Sequence, residues 1–488
     1  MQQAAWQKPI VRAWRTCRKD RRRTGTRAKT RPGNDKHTKE GTFQVDSNSE
    51  TRTKDAESVR QENGVDGLVR KEPWPRRYSI VALCFTAFLL CNMDRVNMSI
   101  AILPMAQEME WSETTKGLVQ SSFFWGYLLT QIAGGIWADK VGGKKVLGFG
   151  VIWWSIATIA TPIAASLGLP ALLATRACMG VGEGVAMPAM NTILARWVPA
   201  SERSRALALV YSGMFVGSIL GLVASPFAIN EYGWPAVFQI FGSLGFVWFA
   251  IWIAQASSTP AEDGGIGDTE RVYIEMNIPA NPPLEKIPWG ALLSKKEVWA
   301  IIFCHFCHNW GTFILLTWMP TFYADHLGMD LYESGYASVL PWVAMAVSAN
   351  TAGWFADTQL IGKGMSVTQT RKIMQSVGFL GPAICLSILP RVHSAPLAIS
   401  LLMVSQACDA FSHSGLYSNH QDIGPRYAGI LLGMSNTAGV LAGVFGTAVT
   451  GYILETGGWS EVWGVAVVLY IVGTIVWLAF STGEQVIE

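Results

Sequence analysis

Residues 79–103 read SIVALCFTAFLLCNMDRVNMSIAIL, a run long enough to cross a bilayer as one helix, with Asp94 and Arg95 its only charges. A guanidinium at the centre of a spanning helix costs about 2.5–3.5 kcal/mol on insertion scales. Arginine does not escape that cost by losing its proton. Arg95 therefore faces a partner or a wet cavity, and a fixed cation in a membrane cavity is a place for an anion.

The rest of the chain supports a membrane reading. Half of the 488 residues are hydrophobic and only 15% are charged, with 48 Gly, 21 Trp and 21 Phe, the bias of a protein that crosses the bilayer many times. Net charge is +3, but it collects at the two ends, in a central segment and in short loops. The eight cysteines are scattered, mostly inside apolar runs (Cys84, Cys91, Cys178, Cys385, Cys408), and read as small hydrophobes rather than a disulfide framework.

Residues 1–77 contain no apolar run. Between Met1 and Glu40 lie thirteen Lys/Arg against three acids, without the apolar core of a secretory signal. An Arg-rich, acid-poor leader suits an organelle transit peptide, although threonine takes the place of serine; the plainer alternative is a disordered basic tail beside anionic lipid. Twelve candidate spans follow, near 79–103, 117–138, 146–166, 169–194, 206–229 and 234–256, then 297–322, 332–356, 373–390, 395–417, 427–453 and 459–481. The expected organisation is an N-terminal six-helix bundle over 78–256, a polar linker over 257–296, a C-terminal six-helix bundle over 297–481 and a short tail over 482–488.

Loop charge orients the chain. Lys140, Lys144, Lys145, Arg196, Arg203, Arg205, Lys295, Lys296, Lys363, Arg371, Lys372 and Arg426 all fall in even-to-odd connections. The odd-to-even connections are acidic or neutral apart from Lys116 and Arg391. Both termini and the linker therefore belong on the cytosol-like face, which is the stroma in a plastid. The halves also repeat. Gly135-Ile-Trp-Ala-Asp139 ends span two and Gly353-Trp-Phe-Ala-Asp357 ends span eight; span five carries Gly213, Gly217 and Gly221, and span eleven Gly439, Gly443 and Gly446. Small-residue ladders let helices approach closely. Two six-span halves joined by a linker are a secondary-transporter plan, with the site expected between them at mid-membrane.

The string Gly135-x3-Asp139-Lys-x-Gly142-x-Lys144-Lys145 resembles the loop signature of the major facilitator superfamily. SSFFWGYLLTQIAGG (121–135), RACMGVGEG (176–184), ERSRALAL (202–209) and NHQDIGPRYAG (419–429) resemble the anion:cation symporter family of sodium-dependent phosphate transporters, sialin and vesicular glutamate transporters. HFCHNWGTFILLTWMPT (305–321) and RKIMQSVGFLGPA (371–383) are similar to its plastid branch, the chloroplast phosphate/anion transporters. The resemblance covers about 78–486. It implies an all-α integral membrane protein of the major facilitator fold, twelve transmembrane helices in two six-helix bundles. In the family an arginine in the first helix and one opening the fourth handle the anion, and a fourth-helix glutamate couples transport; the matching positions are Arg95, Arg176 and Glu183. Two departures stand out. Gln120 replaces the histidine of the glutamate branch, which removes a titratable group, and His308 replaces its arginine, which argues against vesicular glutamate uptake.

Each of these residues also has a plain structural reading. Glu183, two turns beyond Arg176, is either an ion-pair partner holding helices together or the group that exchanges partners when substrate or a proton arrives. Asp94 is a sodium ligand or a structural hydrogen-bond acceptor. Tyr127 is a hydroxyl donor at the cavity wall or a packing residue. His308 and Asn309 point towards the cavity as donors to the anion, or His308 is a packed core histidine. Cys304-His-Phe-Cys307-His308 spells a haem-attachment string, but inside an apolar span with no second ligand pair it is read as plain helix, and no metal site is expected. Asp139 and Asp357 are expected to latch the inner face by engaging basic residues and helix ends, with Lys144, Arg203 and Arg426 in the same loops. His413, Tyr417, His420 and Asp422, at the inner end of span ten, read as an inner gate.

The reading is a secondary transporter of inorganic phosphate across a plastid membrane, thylakoid or inner envelope, working by alternating access and coupled to co-transported Na+ or H+. Its partners are a small inorganic or organic anion and the lipid bilayer; no cofactor and no nucleic acid are expected, and the transport unit is a monomer. The rival within the class is an organic anion such as ascorbate. A non-transporting receptor or scaffold has no use for intramembrane arginines, and no phosphate-cradling loop or nucleophile–base motif points to an enzyme.

Overall fold

Spans begin and end where proline, glycine and capping side chains stop the hydrogen-bond ladder. The computed structural model describes residues 74–278 and 287–487; most of the basic leader lies outside the described residues. The N-terminal half is α1 (Arg76–Glu108), α2 (Glu113–Val141), α3 (Gly143–Ser166), α4 (Leu169–Gly184), α5 (Ala186–Trp197), α6 (Ala200–Tyr232) and α7 (Trp234–Gln255). The linker adds α8 (Asp268–Asn277) and α9 (Trp289–Leu293). The C-terminal half is α10 (Lys296–Leu327), α11 (Leu331–Trp354), α12 (Val367–Ile388), α13 (Ala395–Asp409), α14 (Ser418–Ile423), α15 (Ala428–Thr456) and α16 (Trp459–Phe480). Ser112 caps α2 and Asp330 with Glu333 forms a capping box on α11. Gly142 alone joins α2 to α3 at φ +99°, a left-handed joint that favours glycine.

Nine helical runs are long and apolar enough to cross a membrane among the described residues. The other three spans fall short for visible reasons. α2 carries Lys116, Gln120 and Gln131, α11 carries Ser334, Ser338, Ser348 and Asn350, and span four is broken into α4 and α5 at Val185. Twelve spans therefore cross, with span four made of α4 and α5 and span ten of α13, a π-helical turn over His413–Tyr417, and α14.

The two halves reuse the same fastening. Trp252 of α7 donates to the Lys144 carbonyl (3.0 Å) and Lys144 donates back to the Ile253 carbonyl (3.4 Å). In the second half Trp477 of α16 donates to the Arg371 carbonyl (3.1 Å) and Lys372 to the Leu478 carbonyl (2.7 Å). Each lysine thus satisfies a carbonyl left open at a helix C-terminus, where a cation is also favoured by the dipole.

The seam between halves runs along α2 with α15 and α6 with α11, and also joins α1 to α10. Its tightest contacts lie at the end that loop charge assigns to the outside. A Cβ on Gly117 would meet the Thr447 and Ala448 carbonyls at 3.0 and 3.1 Å, and the Thr114 amide donates to Glu455 across the seam (3.1 Å). Ser121 donates to the Val444 carbonyl (2.7 Å), and Gly335 of α11 faces Leu222 and Pro226 of α6. Towards the inner end the seam is bridged by Asn436 and Gln131 (2.5 Å). This is a conformation closed outside.

The linker is fastened rather than free-running. Glu270 of α8, buried, accepts from the Arg76 and Arg77 amides (2.8 and 3.1 Å), capping the start of α1, and pairs with the Arg77 guanidinium (3.0 Å). Arg77 also pairs with Glu202 at the start of α6 (2.9 Å), and Asp263 takes Arg76 (3.4 Å).

Candidate functional site

Glycine at three levels of α6 sets the position of α1. Gly213, Gly217 and Gly221 face the Phe85, Leu89 and Met93 carbonyls, one contact per turn, so the two backbones touch. On the opposite wall Gly126 of α2 faces the Ala177 carbonyl and Gly180 of α4 faces the Phe123 carbonyl. These approaches draw α1, α2 and α4 together around the Phe123 ring. Just beyond Glu183 the helix breaks: the Val185 amide bonds the Glu183 carbonyl, and the Val181 carbonyl it leaves free accepts from Thr130 Oγ1 (3.0 Å).

Into this junction project two arginines and two carboxylates. Arg95 Nη2 and Nε lie 2.8 and 3.3 Å from Glu183 Oε2, which also accepts from the Cys91 thiol at 3.2 Å. Arg176 is 2% exposed and has no carboxylate within ion-pair distance. Its Nη1 reaches only the Met179 sulfur (2.9 Å), a weak acceptor, and its Nε has no partner. Both guanidiniums lie against the Phe123 ring, 5.0 and 5.6 Å from its centroid, and Arg95 also lies 5.0 Å from that of Tyr127. Asp94 is buried on the neighbouring face of α1, within charge-interaction range of Arg176 and Glu183, and its Oδ1 has no hydrogen-bond partner.

The arrangement places two guanidiniums and two carboxylates in one buried cluster, with Glu183 occupying Arg95. With all four groups ionised the cluster is neutral, so it persists in a low-dielectric interior. An arriving oxyanion would find the donors of Arg176 uncommitted and would compete with Glu183 for those of Arg95.

Arg95, Arg176, Glu183, Asp94 and Tyr127 therefore meet in one place; His308 and Asn309 do not join them. His308 is buried in the C-terminal half with Nδ1 3.1 Å from Asp409 Oδ1, close enough for an ion pair but not aligned as a hydrogen bond. His308, expected as a donor to the anion, thus stands beside Asp409 and apart from the Arg95–Arg176 cluster. Asn309 packs against Gly439 of α15. Within the haem-like string, Cys304 donates to the Gly473 carbonyl (3.4 Å) and His305 bonds Ser435 (2.9 Å), so its members turn to different partners.

The six loop residues read as gates make no bridge between halves in this conformation. Asp139 accepts from Thr192 (3.2 Å) rather than from a base, and Lys144 fastens α7. Arg203 donates to the Ala195 and Val198 carbonyls (3.0 and 3.4 Å), closing the C-terminus of α5. Asp422 pairs with Arg371 (2.6 Å) inside the C-terminal half. Arg426 lies beside Tyr427, and Asp357 is exposed. Neither Asp139 nor Asp357 is ion-paired with a base among the described residues.

Sequence reasoning missed Asp409, Phe123 and Cys91. Asp409 was findable by the rule that exposed Arg95, since it is a charge inside an apolar span. Phe123 carries no such signal.

A model described as the Major Facilitator Superfamily matches residues 83–447. The chain is 64% identical over 431 residues to "Probable anion transporter 1, chloroplastic" of Oryza sativa subsp. japonica, covering 88% of this chain and 81% of the relative. It is 64% identical over 417 residues to "Sodium-dependent phosphate transport protein 1, chloroplastic" of Arabidopsis thaliana, covering 86% and 81%. It is 63% identical over 425 residues to "Ascorbate transporter, chloroplastic" of the same plant, covering 86% and 78%. Among solved structures, a bacterial homolog of the human lysosomal transporter Spinster, inward-facing and occupied, is 15% identical with a TM-score of 0.68 over 84% of this chain and 97% of that one. The chain belongs to the Major Facilitator Superfamily. It is a transporter rather than an enzyme, and a multi-pass protein of a plastid membrane.

Proposed function

We propose that the chain carries inorganic phosphate across a plastid membrane, bound between Arg176 and Arg95 and driven by a sodium or proton gradient. The observation that carries this reading is the buried guanidinium of Arg176 with no carboxylate of its own, beside an Arg95 already neutralised by Glu183. A tetrahedral oxyanion offers acceptors on several sides, and two forked guanidiniums against one ring suit it. Displacing Glu183 from Arg95 frees that carboxylate to take a cation or a proton, so occupancy and coupling are linked through one residue.

A relative named for sodium-dependent phosphate transport and one named for ascorbate are almost equally similar to this chain. Ascorbate is therefore the second reading, since the same two cations suit its enolate. Competition decides between them. Purified protein in liposomes is given labelled phosphate with and without each gradient. Uptake above empty liposomes that excess ascorbate fails to reduce supports phosphate; no phosphate uptake together with ascorbate uptake overturns it.

A further inference from the structure

Asp409, at the end of α13, is 1% exposed and His308 of α10 is 2% exposed, both inside spans. Asp409 Oδ2 has no hydrogen-bond partner, nor does Nε2 of the half-buried His413. An isolated carboxylate there is costly unless paired or protonated. Among the described residues, the titratable groups around the pair are imidazoles, phenols and thiols. His413 and Tyr417 come from the π-helical turn, Tyr470 from α16, His305 and Cys307 from α10 itself, and Cys408 precedes Asp409 with Cys385 of α12 beside it. The nearest fixed ion pair, Arg371 with Asp422, lies at the inner end of the same bundle.

A hydrogen-bonded chain begins beside this pair, at Tyr417. The Tyr417 ring meets the His308 ring edge-on, centroids 5.6 Å apart. Tyr417 Oη then bonds His305 Nε2 (3.2 Å), His305 Nδ1 bonds Ser435 Oγ (2.9 Å), and Ser435 Oγ bonds His420 Nε2 (2.7 Å). His420 Nδ1 closes on the Tyr417 carbonyl (3.0 Å), two residues before Asp422. With both histidines carrying their proton on Nδ1, every donor points the same way.

We propose that the C-terminal half holds a proton-binding centre separate from the anion site: the buried pair Asp409 and His308 carries one proton. This deepens the transport reading, on which it rests, by naming the proton as a coupling ion. With one proton the pair is neutral, as imidazolium and carboxylate or as imidazole and carboxylic acid. Losing it leaves a net charge of −1 among neutral side chains, and an unpaired buried charge is costly. No three His, Cys, Asp or Glu side chains are set to hold a metal among the described residues, and one carboxylate ringed by imidazoles lacks the oxygen ligands a hard cation needs.

The test uses full-length protein in liposomes, wild type and Asp409→Asn, with two transport readouts. Labelled phosphate exchange at equal concentrations needs no driving force; accumulation on an imposed pH gradient does. Asp409→Asn is expected to keep exchange and to lose pH-driven accumulation by about tenfold or more. Accumulation equal to wild type overturns the proposal. A wild type that exchanges no phosphate sinks the transport reading instead, so a third readout needs no transport. The infrared difference spectrum of purified protein between acid and alkaline pH is expected to contain a band of the pair, from a buried carboxylic acid or from an imidazolium-bound carboxylate, that Asp409→Asn removes and His308→Gln shifts. A band unchanged in both variants overturns the proposal, and the His308 variant serves should the Asp409 variant not fold.

Discussion

Glu183 holds Arg95 at 2.8 Å and leaves Arg176, seven residues earlier on the same helix, without a carboxylate. The two arginines therefore differ in state. One is an ion pair waiting to be opened, and the other is an uncommitted cation in a buried site.

Replacing Arg176 with alanine removes donors that only a bound anion would fill. Charge-assisted hydrogen bonds are worth about 1.5–3 kcal/mol, so half-saturation for phosphate should rise roughly ten- to 150-fold, with Arg176→Lys between the two. Initial uptake rates over a concentration series measure this. Unchanged half-saturation in Arg176→Ala removes the residue from the site.

Glu183→Gln acts in the opposite sense. It leaves the Arg95 charge without its partner, and breaking a buried pair destabilises by about 3–5 kcal/mol. The empty variant should melt at a lower temperature and gain more from added phosphate than wild type does, because the anion now supplies the missing charge. Gradient-driven accumulation should fail. A variant whose melting temperature responds to phosphate as wild type does would separate Glu183 from the anion.

Gly180→Ala tests the packing that assembles the site. Its Cβ would overlap the Phe123 carbonyl, so α4 must move away from α2 and carry Glu183 with it. Overpacking of this kind costs about 1–3 kcal/mol and should abolish uptake. Gly429→Ala, where a Cβ meets nothing within 4 Å, is the matched control and should transport normally.

Cross-linking tests the closed outer end. Thr114 and Glu455 touch across the seam, so cysteines at both positions should join through a short thiol reagent and stop turnover. Reduction should restore it. Free turnover after complete cross-linking would mean that this end does not open during the cycle.

Glu270→Ala tests the docked linker. It uncaps α1 and leaves Arg77 with Glu202 as its carboxylate partner, at a cost of about 1–3 kcal/mol from the lost buried bonds. Melting temperature should fall while half-saturation for phosphate stays constant.

Charge inside an apolar run made Arg95 legible, the family resemblance pointed to Arg176 and Glu183, and loop charge with repeated glycine ladders exposed the two-half plan. These signals survive in one dimension because each is an energetic exception: a cation in hydrocarbon, or a row of residues too small to fill space. Asp409 carried the same signal and still needed His308, more than a hundred residues away, to give it meaning. The order of amino acids by itself determined the spans, their orientation and which helices bring costly charges into the membrane. Only the tertiary structure decided which carboxylate meets which cation, that the outer end is shut, that the linker caps α1, and that His308 lies beside Asp409. Hydropathy and spacing act locally along the chain, whereas pairing depends on the rotation and depth of helices far apart in sequence, and those are set by backbone contacts such as Gly217 on Leu89.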